Sequence, residues 1–316
     1  MRAVTIRDGR LVVAERPDPA PGSGELLVRV AAAGVNAADL AQRKGHYPAP
    51  PGSPADVPGL ELAGEVAAVG PGVLGWRPGD RVMALVGGGG QAELAVVHER
   101  LAVPVPNRLG WAEAGGFPEV VTTAHDALFT QCGLGLGDRV LVHGAAGGVG
   151  TAAVQLAAAA GARVVASVRH RDHHAAVAAL GAERVVEPGE VAGTGPFDVV
   201  LELVGAPNFP VDLKVLATGG RIMVIGVAAG ARVELHLGRL MAVRGRILGS
   251  HLRGRPLEQK ADALRRVEAQ ALPLVDAGRL HIPVEATFPL EAAEGAYDRF
   301  AAGRKLGKVV LATGAG

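Results

Sequence analysis

Residues 139–150, with the sequence RVLVHGAAGGVG, decide the fold, because a short β-branched run there meets a glycine-rich turn. An alanine-rich run at residues 151–160 follows the turn, and alanine favours helix. Together the two runs predict a strand, a tight turn and a helix. The apolar segment at residues 140–142 is typical of a strand buried on both faces of a parallel sheet.

The glycines of this turn suit a phosphate site. Gly144 allows the chain to turn away from the strand end, and Gly150 allows the helix to pack closely against the sheet. Gly147 and Gly148 carry no side chains that would keep a pyrophosphate away from the backbone, and a helix N-terminus attracts anions. The predicted phosphate loop consists of Ala146, Gly147, Gly148, Val149 and Gly150.

The residues around the loop favour a phosphate site over the alternative, an alanine- and glycine-rich turn in another α/β fold. A chain of 316 residues with 46 glycines produces such spacings by chance. Here, however, a second β-branched run at residues 162–168 follows at the distance that a β-α-β unit requires. We therefore predict a dinucleotide-binding site.

The residues after the second predicted strand indicate which nicotinamide cofactor binds. A site for NAD usually has a carboxylate there for the ribose 2′-hydroxyl, whereas a 2′-phosphate needs Arg or Lys. This chain continues with Arg169, His170 and Arg171 before its first acid, Asp172. Because guanidinium groups bind phosphate bidentately, we predict NADPH, with these three basic residues as ligands. The alternative is a pair of solvated arginines at the start of a helix that Asp172 caps.

The composition is that of an ordinary globular protein, with 49% hydrophobic and 20% charged residues. The length allows two domains. A net charge of +1 offers no general attraction for nucleic acid or an anionic membrane, so we predict neither as a partner. The sequence shows no secretory signal and no apolar run near the ~18 residues of a membrane span, and we expect a cytoplasmic protein. The single cysteine, Cys132, excludes an internal disulfide and a four-cysteine zinc site.

Two kinds of pattern divide the chain. Up to about residue 106, short β-rich runs alternate with Pro-Gly pairs, which predicts an antiparallel β domain. From residue 139 onward strands alternate with helices, which predicts a doubly wound parallel sheet in an α/β protein.

Five runs, taken together, are far more specific than the glycine loop alone: residues 34–39 (GVNAAD), 42–47 (QRKGHY), 58–66 (PGLELAGEV), 144–157 (GAAGGVGTAAVQLA) and 306–311 (LGKVVL). With these runs the chain resembles the zinc-free, zeta-crystallin-like quinone oxidoreductases of the medium-chain dehydrogenase/reductase family, over nearly its whole length. The resemblance implies a GroES-like β domain at residues 1–120 and 262–316 and a Rossmann NADP(H)-binding domain at residues 121–261. It also implies a homodimer formed through the sheet edge near residues 246–252.

The same resemblance separates the chain from the zinc alcohol dehydrogenases. Where those enzymes have Cys and His ligands, this chain has Asn36 and Leu60, and it lacks their cysteine-rich lobe. We therefore expect no metal. His170, His173 and His174 lie in a basic stretch, which favours a solvated face or a phosphate contact over a metal site.

Without a metal, hydride passes directly from the nicotinamide to an electron-poor acceptor, and the protein supplies orientation. The resemblance points to Asn36 and Tyr47 as the polar groups that face the nicotinamide and the substrate, and to Thr123 as a contact near the cofactor. Asn36 has the alternative role of satisfying a turn, and Tyr47 that of anchoring its loop. The predicted cofactor site also includes Ile225, Gly226 and Ser250.

Family members often carry Gly-Ser and a Lys after the second nucleotide strand, whereas this chain has Arg169 and His170 there. Recognition of the adenine side therefore depends on the basic residues. The leading hypothesis is an NADPH-dependent reductase of quinones or similar activated alkenes. One alternative is an enoyl-thioester or biosynthetic enone reductase, for which Arg253 and Arg255 offer a phosphate contact. The other is an NADPH-binding structural or regulatory protein with little turnover.

Overall fold

The computed structural model describes residues 1–314, which fold as two compact units. Unit 1 comprises Met1–Thr122 and the chain from Leu252 onward, and unit 2 comprises Thr123–His251. The predicted divisions, after residues 120 and 261, differ from these mainly at the second position. Residues 252–261 group with unit 1 because the helix that begins at Leu257 packs against the turn Glu99–Leu101 and the strand Ala102–Pro104 of that unit.

Strands and helices alternate along the described residues as follows. The strands are β1 (Arg2–Arg7), β2 (Arg10–Glu15), β3 (Glu25–Val35), β4 (Glu61–Val69), β5 (Arg81–Leu85), β6 (Leu94–His98), β7 (Ala102–Pro104), β8 (Arg139–His143), β9 (Arg163–Ser167), β10 (Arg184–Val186), β11 (Phe197–Glu202), β12 (Leu216–Val224), β13 (Arg246–Gly249), β14 (Val284–Pro289) and β15 (Lys308–Ala312). The α-helices are α1 (Ala37–Arg43), α2 (Trp111–Gly115), α3 (Pro118–His125), α4 (Gly148–Ala159), α5 (His174–Ala179), α6 (Phe209–Val215), α7 (Leu237–Ala242), α8 (Leu257–Gln270), α9 (Leu272–Asp276) and α10 (Ala293–Ala301).

Unit 1 is built on a sheet with the order β14-β15-β3-β4-β5-β7, and β6 also pairs with β3. The strands from β15 to β7 pair antiparallel, as the alternation of β-rich runs and Pro-Gly pairs predicts, whereas β14 lies parallel to β15. Val309 of β15 pairs with Val35 of β3. This pairing brings the C-terminal strand beside the start of α1, where the predicted catalytic Asn36 lies.

Unit 2 contains a parallel sheet with the order β10-β9-β8-β11-β12-β13. The predicted strand and helix around the glycine loop are confirmed, since β8 and α4 flank that loop. Strand order reverses between β8 and β11, because β9 and β10 lie on one side of β8 and the later strands on the other. Open α/β sheets bind ligands at such a reversal, outside the carboxyl ends of their strands.

Three helical segments are irregular. Residues 257–276 are divided into α8 and α9, because Pro273 lies in the first turn of α9 and cannot continue α8. The end of α3 is followed by a π-helical turn, Asp126–Gln131. The predicted helix after Arg171 begins with a 3-10 turn, and the N-cap of α5 is His173 rather than Asp172.

None of the helices found in residues 1–314 has the length and apolar character needed to cross a membrane.

Candidate functional site

The glycine loop follows β8 at the carboxyl edge of the unit 2 sheet. Gly144 has a φ of 63°, in the left-handed region that favours glycine, and its carbonyl accepts a hydrogen bond from Gly147 N at 3.0 Å. A Cβ atom at Gly150 would lie 2.5 Å from the carbonyl oxygen of Gly144. The close approach of α4 to β8 therefore requires glycine at position 150, as the sequence predicts.

The start of α4 fits the pyrophosphate of a dinucleotide. Its N-cap, Gly147, has no side chain to bond the first-turn N–H groups, and no acidic residue lies in that turn. These N–H groups have no acceptor within the helix and carry its positive dipole end. Residues 146–149 are partly exposed. The loop can therefore hold two phosphate groups, and the nicotinamide of the bound cofactor would supply the hydride.

The basic residues after β9 divide into two pairs of contacts. Arg169 is exposed, and its Nε lies 3.1 Å from His170 Nε2. Arg171 is bound instead to Glu187, and this pairing lowers the pKa of the Glu187 carboxyl. The structure thus places Arg169 and His170 together beyond the end of β9, whereas Arg171 is held by an acid.

The other predicted cofactor residues of unit 2 lie mostly at the same edge of the sheet. Ile225 and Gly226 follow β12, and their N–H groups both donate to the carbonyl of Glu202, at 2.9 and 3.1 Å. Ser250 follows β13, and its Oγ accepts a hydrogen bond from Gln131 at 2.7 Å. Thr123 lies on α3 rather than at a strand end. The structure therefore gathers the loop, the basic pair and these strand-end residues at one edge.

Asn36 of unit 1 belongs to a buried hydrogen-bond network. Its Nδ2 donates to Glu61 Oε1 at 2.8 Å, and its Oδ1 accepts from Lys308 Nζ at 2.8 Å. Lys308 Nζ also donates to Glu61 Oε1 at 2.6 Å and to the carbonyl oxygen of Val35 at 3.0 Å. Because Lys308 and Glu61 are both at most 2% exposed, this network holds the Asn36 amide in one orientation. We call Asn36, Glu61 and Lys308 the lysine network.

The lysine network also bears on the expected absence of a metal. Of the two positions that correspond to zinc ligands, Leu60 is apolar and 1% exposed. At the other, the oxygen atoms of Asn36 and Glu61 already bind the ammonium group of Lys308. Zinc sites use thiolate, imidazole and carboxylate ligands. The one such group here is the carboxylate of Glu61, and its Oε1 already accepts a hydrogen bond from the Lys308 ammonium.

Two further carboxyl groups border the lysine network. Asp39 is fully buried and accepts hydrogen bonds from Asn36 N at 2.7 Å and Gly59 N at 3.0 Å. Burial nevertheless raises its pKa to about 6. Glu119, on α3, donates its backbone N–H to Glu61 Oε2 at 2.9 Å. Burial and the negative charge of Glu61 raise the pKa of Glu119 to about 8, so Glu119 holds a proton at neutral pH.

Tyr47 lies in the loop after α1, and Arg253 holds it there. The guanidinium group of Arg253 donates to the carbonyl oxygens of Gly87 at 2.7 Å and Tyr47 at 3.2 Å and to Gln42 Oε1 at 2.7 Å. It also lies over the Tyr47 ring, 5.2 Å from its centre. Burial and the charge of Glu119 raise the pKa of Tyr47 to about 12. Tyr47 is therefore a neutral phenol in a loop with a fixed path.

These contacts overturn the phosphate role considered for Arg253. Its side chain is 4% exposed, and its hydrogen bonds are made inside unit 1. The sequence does not reveal this, because its partners lie far away along the chain. Arg255, the other arginine considered, is partly exposed.

Unit 2 has a second buried polar group that the sequence did not predict. His143 ends β8, Glu202 ends β11 and Asp212 lies on α6. Within residues 1–314 they form the one group of three potential metal ligands, and their ligand atoms all lie within 4.8 Å of one another. His143 Nε2 lies 2.8 Å from Asp212 Oδ1. Glu202 Oε1 accepts hydrogen bonds from the N–H groups of Val204 and Gly205, at 2.5 and 2.7 Å. The group thus links the ends of β8 and β11 to α6.

Sequence reasoning missed Glu61, Glu119 and Lys308 as members of the site. Glu61 and Lys308 lie inside the runs at residues 58–66 and 306–311, which contributed only to the family resemblance. A lysine in a strand that is otherwise apolar, KVVL, was the signal for a buried charge, since lysine is almost never fully buried unless it is paired.

Comparisons with known proteins agree with this architecture. Residues 22–107 match the family model of the alcohol dehydrogenase GroES-like domain, and residues 148–269 match that of the zinc-binding dehydrogenases. The chain is 32% identical to the quinone oxidoreductase of Rattus norvegicus, over 93% of this chain and 90% of that protein. It is 33% identical to the acryloyl-coenzyme A reductase of Metallosphaera sedula, over 99% of this chain and 100% of that protein.

A solved structure described as an NAD-dependent alcohol dehydrogenase superposes with a TM-score of 0.87, at 32% identity and with 99% of this chain and 100% of that chain covered. The chain is therefore an oxidoreductase of the medium-chain dehydrogenase/reductase family, with a GroES-like domain and a Rossmann domain that binds a nicotinamide cofactor.

Proposed function

We propose that the protein is an NADPH-dependent reductase that transfers hydride to a quinone or a similar activated alkene without a metal. The observation that carries this proposal is the lysine network, in which an ammonium group takes the oxygen atoms that a metal ion would need. Oxidation of an alcohol in this family is assisted by a Lewis acid, whereas a quinone or enone is already electron-poor. A site without such an acid suits the second class of acceptor.

Asn36 and Tyr47 are the proposed polar contacts of the substrate. The Asn36 amide is fixed by Glu61 and Lys308, and the phenol of Tyr47 stays protonated over the physiological range because its pKa is about 12. A hydride acceptor develops negative charge on oxygen, which a fixed hydrogen-bond donor stabilises. Tyr47 is therefore proposed to donate a hydrogen bond to that oxygen rather than to give up its proton.

The choice of NADPH over NADH rests on the residues after β9. Arg169 and His170 lie together there, and a guanidinium group matches the geometry of a 2′-phosphate. Arg171 is the weaker candidate, because it already pairs with Glu187. We infer that Arg169 provides most of the discrimination and that the phosphate loop, Thr123, Ile225, Gly226 and Ser250 contact the rest of the cofactor.

A second acceptor class is favoured by one relative. The similarity to an acryloyl-coenzyme A reductase extends over the whole length of that protein, and enoyl thioesters are activated alkenes. The same hydride transfer would serve both classes, so the difference lies in the substrate pocket. We propose quinones and simple enones first and enoyl thioesters as the alternative.

We also infer that the protein acts as a homodimer. The outer edge of β13 is unpaired in the described sheet, and three exposed apolar side chains lie in the segment before it: Val233 at 44%, Leu237 at 63% and Met241 at 74% exposure. An apolar group beside an open strand edge is typical of a surface that a partner covers.

The test is an acceptor comparison with enzyme dialysed against a chelator. Fluorescence titration gives the affinities for NADPH and NADH, and loss of the nicotinamide absorbance gives the rates with a para-quinone and with an enoyl thioester. Tight NADPH binding and rapid oxidation by the quinone are expected. Binding without turnover on either acceptor would instead support the structural or regulatory role, and turnover that requires added zinc would contradict the proposal.

A further inference from the structure

Glu202, the last residue of β11, is fully buried at the carboxyl edge of the unit 2 sheet. Its side chain and its backbone bind two different turns. Oε1 accepts hydrogen bonds from Val204 N at 2.5 Å and Gly205 N at 2.7 Å. Its backbone carbonyl accepts hydrogen bonds from Ile225 N at 2.9 Å and Gly226 N at 3.1 Å. One residue thus holds the turn that follows β11 and the turn that follows β12.

These two turns also bind each other. Ala229 N donates to the carbonyl oxygen of Val204 at 2.9 Å, and Ala206 N donates to that of Gly230 at 2.9 Å. Gly205 has a φ of 117°, and a Cβ atom there would lie 2.5 Å from the Gly230 carbonyl oxygen. The contact is therefore so close that it requires glycine. We call residues 204–206 and 225–230 the paired turns.

The carboxyl group of Glu202 satisfies the N–H groups of the turn after β11. A buried N–H group that loses its acceptor costs free energy, so without this carboxyl group Val204 and Gly205 would have to turn their N–H groups towards water. The neighbouring His143 pairs instead with Asp212, through Nε2 and Oδ1 at 2.8 Å. The shape of the paired turns therefore depends on an acceptor at position 202.

The strand order indicates which part of a dinucleotide lies near the paired turns. Strands β9 and β11 flank β8 on opposite sides, and a Cβ atom at Gly144, directly after β8, would lie 3.3 Å from the Val204 side chain. In a Rossmann domain the pyrophosphate lies at the helix after the first strand, and the end of the second strand binds the adenosine ribose. Here the first and second strands are β8 and β9. The nicotinamide half of the cofactor therefore extends from the loop towards the ends of β11 and β12.

We propose that Glu202 is a positioning residue, which holds the paired turns in the shape that binds the nicotinamide half of the cofactor. Its buried carboxyl group acts through the two turns and does not itself touch the cofactor. The orientation of the nicotinamide matters because hydride transfer requires the reacting atoms to be held close together and aligned. A positioning role needs only a nicotinamide cofactor, which this family binds, and is independent of the choice between NADPH and NADH and of the acceptor.

The experiment compares two substitutions of Glu202 with a matched control on the same strand. Glu202→Met keeps an unbranched side chain but loses the oxygen that accepts the two N–H groups, whereas Glu202→Gln keeps one oxygen. The control, Asp198→Leu, removes a carboxylate near the amino end of β11, where Asp198 Oδ2 accepts a hydrogen bond from Arg139 N at 2.8 Å. Glu202→Met and Asp198→Leu therefore both take an acceptor from a backbone N–H group, at opposite ends of one strand.

Isothermal titration calorimetry of the full chain with NADPH, NADH and ADP separates the two halves of the site, because ADP carries the adenosine and two phosphate groups but no nicotinamide. Glu202→Met should weaken the binding of NADPH and NADH by about ten-fold or more, equivalent to about 1.4 kcal/mol. Its affinity for ADP should change by less than about two-fold. Glu202→Gln should bind all three ligands within about three-fold of wild type. Asp198→Leu should keep the wild-type ratio between the ADP and NADPH affinities.

Gly205→Ala tests the same turns without changing the buried carboxyl group, and it replaces Glu202→Met if that variant does not fold. The added Cβ atom would displace the turn from the Gly230 carbonyl, so Gly205→Ala should also lose affinity for NADPH and NADH and keep its affinity for ADP. Unchanged NADPH affinity in this variant would show that the paired turns do not bind the nicotinamide half.

Three results would overturn the role of Glu202. They are an equal loss of ADP and NADPH affinity in Glu202→Met, a loss in Glu202→Gln as large as that in Glu202→Met, and the same selective loss in Asp198→Leu. Failure of the proposed function looks different. Wild type that prefers NADH, or that reduces no quinone, would contradict that function, while the ratio of NADH to ADP affinity in the Glu202 variants would still decide the positioning role.

Discussion

Replacing Lys308 with methionine tests the lysine network most severely. The substitution keeps a long side chain but removes the ammonium group that donates to Glu61 Oε1, Asn36 Oδ1 and the carbonyl of Val35. Glu61 would keep two donors, the amide of Asn36 and the backbone of Glu119. A fully buried carboxylate would thus lose its cation.

The structure sets the size of the effect. Removing one partner of a buried ion pair lowers the free energy of unfolding by about 3–5 kcal/mol, because it leaves an uncompensated buried charge. A domain is usually stable by about 5–15 kcal/mol, so Lys308→Met should still fold but with a much smaller free energy of unfolding. The double variant Lys308→Met with Glu61→Gln removes both charges. If the two substitutions acted independently, the double variant would lose the sum of the two single losses in free energy of unfolding. We expect it to lose less than that sum, by a coupling energy of at least about 1.5 kcal/mol.

Urea unfolding followed by tryptophan fluorescence is the suitable assay. The chain has two tryptophans, Trp76 and Trp111, and both lie in unit 1, so the signal reports the unit that contains the network. Lys44→Met, at an exposed position, is the matched control and should change the free energy of unfolding by less than about 0.5 kcal/mol. Additive losses in the cycle, or a loss below about 1 kcal/mol for Lys308→Met, would refute the reasoning.

Three other substitutions test the cofactor and substrate contacts. Arg169→Ala should weaken NADPH binding by roughly 1.5–3 kcal/mol, the value of a charged hydrogen bond, and leave NADH binding nearly unchanged. Equal effects on both cofactors in a fluorescence titration would show that Arg169 does not bind the 2′-phosphate. Gly150→Ala should lower the thermal midpoint and the affinity for both cofactors, since its Cβ would lie 2.5 Å from the Gly144 carbonyl. Gly189→Ala, where an added Cβ meets nothing within 4 Å, is its control, and equal behaviour of the two variants would contradict the close-approach argument. Tyr47→Phe should lower kcat more than it weakens NADPH binding, and unchanged steady-state turnover would leave Tyr47 with the loop-anchor role.

The nucleotide loop of unit 2 is predictable from the sequence because its information is local. The β-branched run, the glycines and the alanine-rich helix follow one another within residues 139–160. A parallel β-α-β unit brings consecutive segments together, and so the phosphate loop and the basic pair at Arg169 and His170 can be placed without knowing the rest of the fold. The division between α8 and α9 at Pro273 lies outside this local unit.

The surroundings of Asn36 and Tyr47 in unit 1 depend on long-range pairing, which the sequence does not show. Lys308 reaches Asn36 across a sequence separation of 272 residues, because the C-terminal strand pairs with β3. Arg253 reaches Tyr47 across 206 residues for a similar reason. The sequence can identify Asn36 and Tyr47 by resemblance, but it does not show which charges surround them.

The buried charged residues also differ from what their residue types suggest. Lysine, arginine and glutamate are mostly exposed. Arg253 was considered as a phosphate contact, and Lys308 and Glu61 were given no role of their own. In the structure Lys308, Glu61 and Arg253 are at most 4% exposed and satisfy one another or the backbone. Their role is to fix Asn36 and Tyr47, and only the folded structure reveals it.

The central claim is metal-independent hydride transfer from NADPH to an activated alkene or quinone. The most direct measurement uses NADPH labelled with deuterium at the transferable position, enzyme dialysed against a chelator, and an enone as acceptor, with mass spectrometry of the product. Our account predicts one deuterium at the carbon that accepts hydride, and a rate that added zinc does not change. A product without deuterium, or activity that disappears with the chelator and returns with zinc, would contradict it.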